Sequence, residues 1–221
     1  MDLYDAMRTT PATREFTGEP LPDGVLHRLL DAARFAPSGG NRQGVRVVVV
    51  RDQDTRERIA ALNEPAVRRY RAQIDAGESP WNSLHAPGPS PETIAATPVP
   101  EAFTKPVLTA GAVLVFWVDL GVVASMDQHL DRVGVVSGAS VYPLVWNVLL
   151  AARAEGYGGT ITTMAVPEEQ SVRDLLGVPE QYALAAVVPI GRPVHEVTRL
   201  KRRPVEDFVT LERFDGEPFT G

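Results

Sequence analysis

The chain has 221 residues, 22 of them basic and 28 acidic, for a formal charge of -6; 44% are hydrophobic and none is cysteine. The hydrophobic share supports a folded core and excludes wholesale disorder, and the length suits one domain, or one domain with an elaboration. Without cysteine there can be no disulfide, thiolate metal site, iron–sulfur ligation or cysteine nucleophile, and a mildly acidic chain is a poor non-specific ligand for nucleic acid or anionic membranes.

The N-terminal segment has no long apolar core of the signal-peptide kind. The greasiest run, Ala110 to Val118, is far short of the roughly 20 residues a transmembrane helix needs. A soluble cytoplasmic protein, with no membrane and no nucleic-acid partner, is expected. Residues 22–35 predict a helix: Val25, Leu26, Leu29, Leu30 and Ala33 recur three and four apart, and Pro22 and Asp23 suit its first turn. Pro37 to Asn41 breaks it. Val45 to Val50 predicts a strand, apolar enough for a central position. Asp54 to Leu62 predicts a short helix, and 66–76 a second one.

Residues 77–106 are rich in proline and glycine and predict a surface excursion or lid, mostly without regular structure. Its aromatic residues Trp81 and Phe103 either anchor the excursion or line a substrate pocket. Val113 to Val118 predicts a second buried strand, and 132–154 a long helix. The second half of that helix is apolar on nearly all sides, so other elements or a partner subunit must wrap it. Val172 to Leu176 reads as part of a short helix and Ala183 to Ile190 as a third strand. Strands and helices do not alternate as βαβ units, and no internal boundary appears. One α+β domain over residues 1–221 is expected.

Several chemical signatures are absent. There is no Gly-x-Gly-x-x-Gly after a strand, no Walker A sequence, no His-Glu-x-x-His and no Gly-x-Ser-x-Gly elbow. The four histidines are scattered. Asp127, His129 and Asp131 alternate, which reads as a polar cap before it reads as a metal site. Three polar clusters remain: Arg8, Thr9, Thr10, Thr13 and Arg14; Ser38-Gly39-Gly40-Asn41-Arg42-Gln43; and Gly156 to Thr163. A basic segment, Lys201-Arg202-Arg203, follows late in the chain. Arginines with hydroxyls and exposed backbone N–H groups are what a phosphate monoester requires. Glycine turns let backbone approach a flat ligand, and Asn and Gln can address both edges of a heterocycle. Each cluster alone is also what an ordinary turn looks like.

Taken in order, the clusters resemble the nitroreductase family of FMN-dependent oxidoreductases. The match is carried by LLDAARFAPSGGNRQGVRVVVV at 29–50, by Asn147 to Arg153 followed by Gly156-Tyr157-Gly158-Gly159-Thr160, and by Arg199 to Phe208. The resemblance implies a mixed, mainly antiparallel sheet flanked by helices, in an intertwined homodimer with FMN at the interface. It implies that Arg8 and Arg14 hold the phosphate and ribityl groups. Ser38, Gly39 and Asn41 approach the same flavin from one subunit, while Tyr157, Gly158, Gly159 and Thr160 lie along the isoalloxazine from the other. Arg202, or its neighbours Lys201 and Arg203, returns to the phosphate.

The implied activity is hydride transfer from NAD(P)H through flavin N5 to a small organic acceptor such as a nitroaromatic, quinone or enone, by a ping-pong cycle. The cofactor carries the chemistry, so no catalytic side chain and no metal is expected. Two positions depart from the family pattern. Thr10, Pro11 and Ala12 stand where Arg, Arg and Ser are usual, and Gln43-Gly44-Val45 replaces Gln-Pro-Trp. The altered N-terminal motif also suits a flavin-binding or flavin-sequestering protein with little reductase activity. A branch that cleaves reduced FMN with oxygen finds no positive signal.

Overall fold

A computed structural model describes all of residues 1–221. It has seven helices: α1 (Leu3–Thr9), α2 (Asp23–Ala33), α3 (Gln53–Asp75), α4 (Pro91–Ala96), α5 (Lys105–Thr109), α6 (Tyr142–Ala154) and α7 (Glu169–Leu176). The strands are β1 (Val45–Val50), β2 (Ala112–Asp119), β3 (Gly158–Gly159) and β4 (Tyr182–Gly191). The sheet order is β1-β2-β4-β3, and all three pairings are antiparallel. The parallel contribution is a single bridge, Ala12 to Gly159.

Every residue of β2 except Asp119 is buried, because helices cover both faces of the sheet. Leu114, Phe116, Val188 and Ile190 point into one core with α2 and α6. Val113, Val115, Trp117 and Val187 point into the other with α3 and its neighbours. This alternation is the period-2 geometry of a strand between two helical layers. It also explains β1, which occupies an edge and not the central position its composition suggested. Val45 and Val47 meet one core and Val48 and Val50 the other, so the run is apolar while only one of its edges is hydrogen-bonded.

The two short helices expected over 54–76 are one helix of 23 residues with Pro65 inside it. Proline lacks the donor for Ala61 and ordinarily breaks a helix. Here Ile59, Ala60, Ala66 and Val67 on either side of it are all buried, and that packing carries the helix through. The Asp52 carboxylate caps the start by accepting from the Thr55 amide at 2.8 Å. Near that end Arg56 is buried, and its guanidinium donates to the Ala110 carbonyl at 2.7 Å. Burial, with the nearby Arg51 charge, pushes its pKa down from the ordinary value.

The helix expected over 132–154 begins at Tyr142. A 3-10 turn, Val136–Ser140, precedes it. Gly134, the valine pair and Gly138 disfavour an α-helix there, and Pro143 occupies the first turn of α6, where a missing N–H costs nothing. The excursion is mostly irregular, apart from α4 and a 3-10 turn at Glu101–Phe103. Trp81 anchors it: its amide donates to the buried Gln73 side chain at 3.1 Å, and the Arg69 guanidinium lies 3.9 Å from its ring centre. No helix is long and apolar enough to cross a membrane.

Candidate functional site

The first cluster and the basic segment meet. Arg8, Thr9 and Thr10, at the end of α1, face Arg199 and Arg202 across a cavity of about 640 Å³ floored by Trp146 of α6. None of these three arginines is ion-paired with a carboxylate, although Asp5 stands on the wall. The Arg202 guanidinium reaches only the Lys201 carbonyl, at 2.7 Å, and Arg8 lies 5.9 Å from the Tyr4 ring. Arginines that line one space without carboxylate partners favour an anion there, and planar forks suit phosphate oxygens.

A second space is lined by residues further along the chain. Arg14 and the run Thr160 to Met164 line a cavity of about 160 Å³ with Tyr70 of α3 and Phe103 of the excursion. The Tyr70 and Phe103 rings meet edge to face, 5.6 Å between centres. Arg14 is exposed and donates only to the Ala12 carbonyl, at 3.4 Å. Phe103 therefore both packs against the helix and borders a pocket, whereas Trp81 serves as the anchor.

Between the two cavities the N-terminal segment is laid against β3. The Thr13 amide donates to the Gly159 carbonyl at 2.9 Å. Gly158 and Gly159 are buried. A Cβ on Gly159 would stand 2.8 Å from the Pro189 carbonyl oxygen and 2.9 Å from the Leu149 side chain, and one on Gly158 would strike Thr13. These glycines are required first by chain packing against chain. Thr160 is buried just beyond them, and Tyr157, half-buried, has Arg192 5.1 Å from its ring.

The Ser38–Asn41 turn lies elsewhere. Gly40, Asn41 and Gln43 all adopt positive φ, at 61°, 53° and 52°. Such a run is uncommon outside glycine, and Asn tolerates it best. The Ser38 hydroxyl accepts from the Gln43 amide at 3.0 Å, and the Gly39 amide donates to the Ser140 hydroxyl at 3.1 Å. Ser140 immediately precedes α6, whereas β3 follows it. The 13 residues of α6 span about 20 Å at 1.5 Å per residue. One chain thus brings Arg8 together with Arg202, and Arg14 together with Gly158, Gly159 and Thr160. It leaves Ser38, Gly39 and Asn41 at the far end of a helix.

Asp127 is no metal ligand candidate in this arrangement. Its carboxylate is buried and accepts from the Val135 amide at 2.6 Å, the Val136 amide at 3.3 Å and Arg132 at 2.9 Å. The Val135 amide chiefly holds its pKa below the ordinary value. Burial opposes the shift, and Arg132 and Val136 support it. Its role is to close the loop that approaches the Ser38 turn, where Arg42 donates to the Val122 carbonyl at 3.2 Å. Sequence reasoning missed Trp146, Tyr70 and Arg199 as cavity residues. Arg199 had a signal in the basic segment, while Trp146 and Tyr70 read as ordinary helix aromatics.

The fold is α+β, with an unpaired arginine cleft and a smaller aromatic-walled pocket. Residues 7–192 match the nitroreductase family, and the chain belongs to that family. It is 30% identical over 217 residues to a protein named NADH dehydrogenase from Thermus thermophilus, covering 95% of each chain. It is 25% identical over 216 residues to an iodotyrosine deiodinase from Nematostella vectensis, covering 96% of this chain and 75% of that one. Among solved structures, an NADPH:FMN oxidoreductase from Vibrio harveyi in complex with NAD+ superposes with a TM-score of 0.67 at 20% identity, over 96% of this chain and 78% of that one.

Proposed function

We propose that this chain is an NAD(P)H-dependent FMN oxidoreductase acting on a small organic acceptor. The observation that carries the reading is the cleft of Arg8, Arg199 and Arg202, whose guanidinium groups have no carboxylate partner. That donor set fits a phosphate monoester, and Arg14, on the wall of the smaller pocket, adds a cation for the rest of the same ligand. The names of the Thermus thermophilus and Vibrio harveyi proteins point to a nicotinamide reductant and, for the second, to FMN.

In this reading Arg8 and Arg202 hold the phosphate, and Arg14 lies toward the ribityl chain and the pyrimidine edge. The chain around Tyr157 to Thr160 borders the ring. When bound, FMN supplies hydride acceptance and donation at N5. The protein's own contribution would be the positive charge of Arg14, which favours the anionic reduced form of the ring, and the walls of Tyr70 and Phe103, which limit acceptor size. No carboxylate or imidazole of this chain lines the 160 Å³ pocket, and in this reading the acceptor's protons come from water or from the flavin itself.

Two copies complete the site. Ser38, Gly39 and Asn41 sit a helix length from Arg14 on one chain, and a partner supplies them in this reading. Exposed apolar residues support that association: Tyr142 and Trp146 of α6 are 42% and 38% exposed, and Phe214 of the C-terminal arm is fully exposed.

The test is the anaerobic visible spectrum of the FMN-reconstituted protein titrated with NADH and then NADPH. Bleaching of absorbance near about 450 nm, followed by recovery on adding a nitroaromatic, a quinone, an enone or a halogenated tyrosine, is expected. Failure to retain flavin removes the reading. Retained flavin that neither a nicotinamide nor a reduced deazaflavin bleaches replaces it with flavin storage.

A further inference from the structure

One arginine beside the phosphate cleft has no part in the reading above. Arg153, in the last turn of α6, is half-buried and is not on the cavity wall. Its Nε donates to the Thr9 hydroxyl at 3.2 Å, and its Nη2 donates to the Val197 carbonyl at 3.0 Å. These two acceptors belong to the two separate segments that form the cleft. Thr9 stands beside Arg8 at the end of α1, and Val197 precedes Thr198 and Arg199 on the returning arm. The Thr9 hydroxyl in turn donates to the Asp5 carbonyl at 2.7 Å, so its lone pair is turned toward Arg153. The planar guanidinium fork is the feature that lets one side chain reach both segments.

Its charge is also left free. The neighbouring Glu155 is engaged by Arg28, at 3.0 and 2.5 Å, and Arg153 itself forms no ion pair. A cation behind the cleft lies well within a Debye length of any anion bound there.

We propose that Arg153 is a positioning residue for a phosphate monoester: it clamps the Arg8 segment to the Arg199–Arg202 arm and adds uncompensated positive charge behind them. The proposal rests on the FMN reading and goes beyond it by assigning a residue that touches neither flavin nor acceptor. It predicts a loss confined to the phosphorylated ligand, because riboflavin shares the ring and ribityl chain and lacks only the phosphate.

The experiment measures dissociation constants for FMN and for riboflavin, by quenching of flavin fluorescence, in wild type and in Arg153→Met, Arg153→Lys and Thr9→Val. Arg153→Met is expected to weaken FMN about tenfold, as the loss of two hydrogen bonds implies, and to leave riboflavin within about twofold. Arg153→Lys keeps the charge without the fork and falls between. Thr9→Val removes one anchor at nearly constant volume and lowers the FMN preference about threefold. If Arg153→Met does not fold, the two milder variants decide the matter. FMN and riboflavin weakening by the same factor, or neither changing, overturns the assignment. A wild type that binds FMN no better than riboflavin overturns it too, while leaving flavin binding itself intact. A wild type that binds neither flavin removes the FMN reading, and this assignment with it.

Discussion

The Thr13 amide donates to the Gly159 carbonyl at 2.9 Å, and this bond seats the segment carrying Arg14 against the chain that leaves α6. Two stretches nearly 150 residues apart thereby share one wall, with Arg8 on one side of the junction and the Thr160 to Met164 run on the other.

Arg14→Ala should separate ligand affinity from folding. The side chain is exposed and holds only a weak local bond, so its removal should change stability by less than about 0.5 kcal/mol. Loss of a charge-assisted contact to the cofactor should weaken FMN about tenfold or more. Fluorescence titration beside a thermal melt checks both, and unchanged flavin affinity would remove Arg14 from the site.

The glycines after α6 should answer differently to alanine. In Gly159→Ala the new Cβ meets the Pro189 carbonyl oxygen at 2.8 Å and Leu149 at 2.9 Å. Overpacking of this kind costs about 2 kcal/mol, which for a chain of this size lowers Tm by roughly 4–8 °C. Gly156 has φ +79° and open space around it, so Gly156→Ala pays only the left-handed backbone penalty of about 1 kcal/mol. Equal Tm losses would contradict the packing at β3.

Asp127→Asn should change the acid limb of the stability curve. Because the folded carboxyl is held below its ordinary value, its contribution is fully present above the unfolded pKa of about 3.9 and is lost as pH falls through the lower folded value. Wild type should therefore melt higher than Asp127→Asn at pH 6, and the gap should narrow only below about pH 4. The depressed carboxyls Asp31, Asp52, Glu92, Glu155 and Asp215 are common to both proteins and cancel in the difference. A gap constant from pH 6 to 2.5 would contradict the assignment.

Phe103→Ala should enlarge the pocket without disturbing the arginine cleft. The ring is half-buried and edge-on to Tyr70, so about 1–2 kcal/mol of stability should be lost. In steady-state assays KM for the acceptor should rise about tenfold while FMN affinity stays within about twofold. Should KM stay unchanged for every aromatic acceptor tried, Phe103 would be only an anchor.

Much of the fold could be read before any coordinates, for identifiable reasons. Val113 to Val118 and Ala183 to Ile190 are buried on both faces, and their apolar runs show it. The valines of β1 carry the same composition at an edge, because composition records which faces are covered and not which edges are bonded. Residues 54–76 show the opposite case: they read as two helices, and one helix runs through Pro65 because Ile59, Ala60, Ala66 and Val67 around it are buried. At the site, arginines, hydroxyls and glycines announced themselves by type. Tyr70 and Trp146 did not, since a helix aromatic looks alike whether it faces core or cavity. Arg153 was equally hidden, because its two acceptors, Thr9 and Val197, become neighbours only when the chain is folded.

Placing Asn41 and Arg14 at opposite ends of α6 has a genetic consequence. In the dimer proposed above, a lesion at either end would spoil both centres of a pure dimer, yet the two lesions would be complementary in a mixed one. A hybrid of an Arg14→Ala chain with an Asn41→Ala chain carries both defects in one centre and none in the other. At limiting FMN, the heterodimer fraction isolated by dual affinity tags should thus turn over faster per chain than either homodimer.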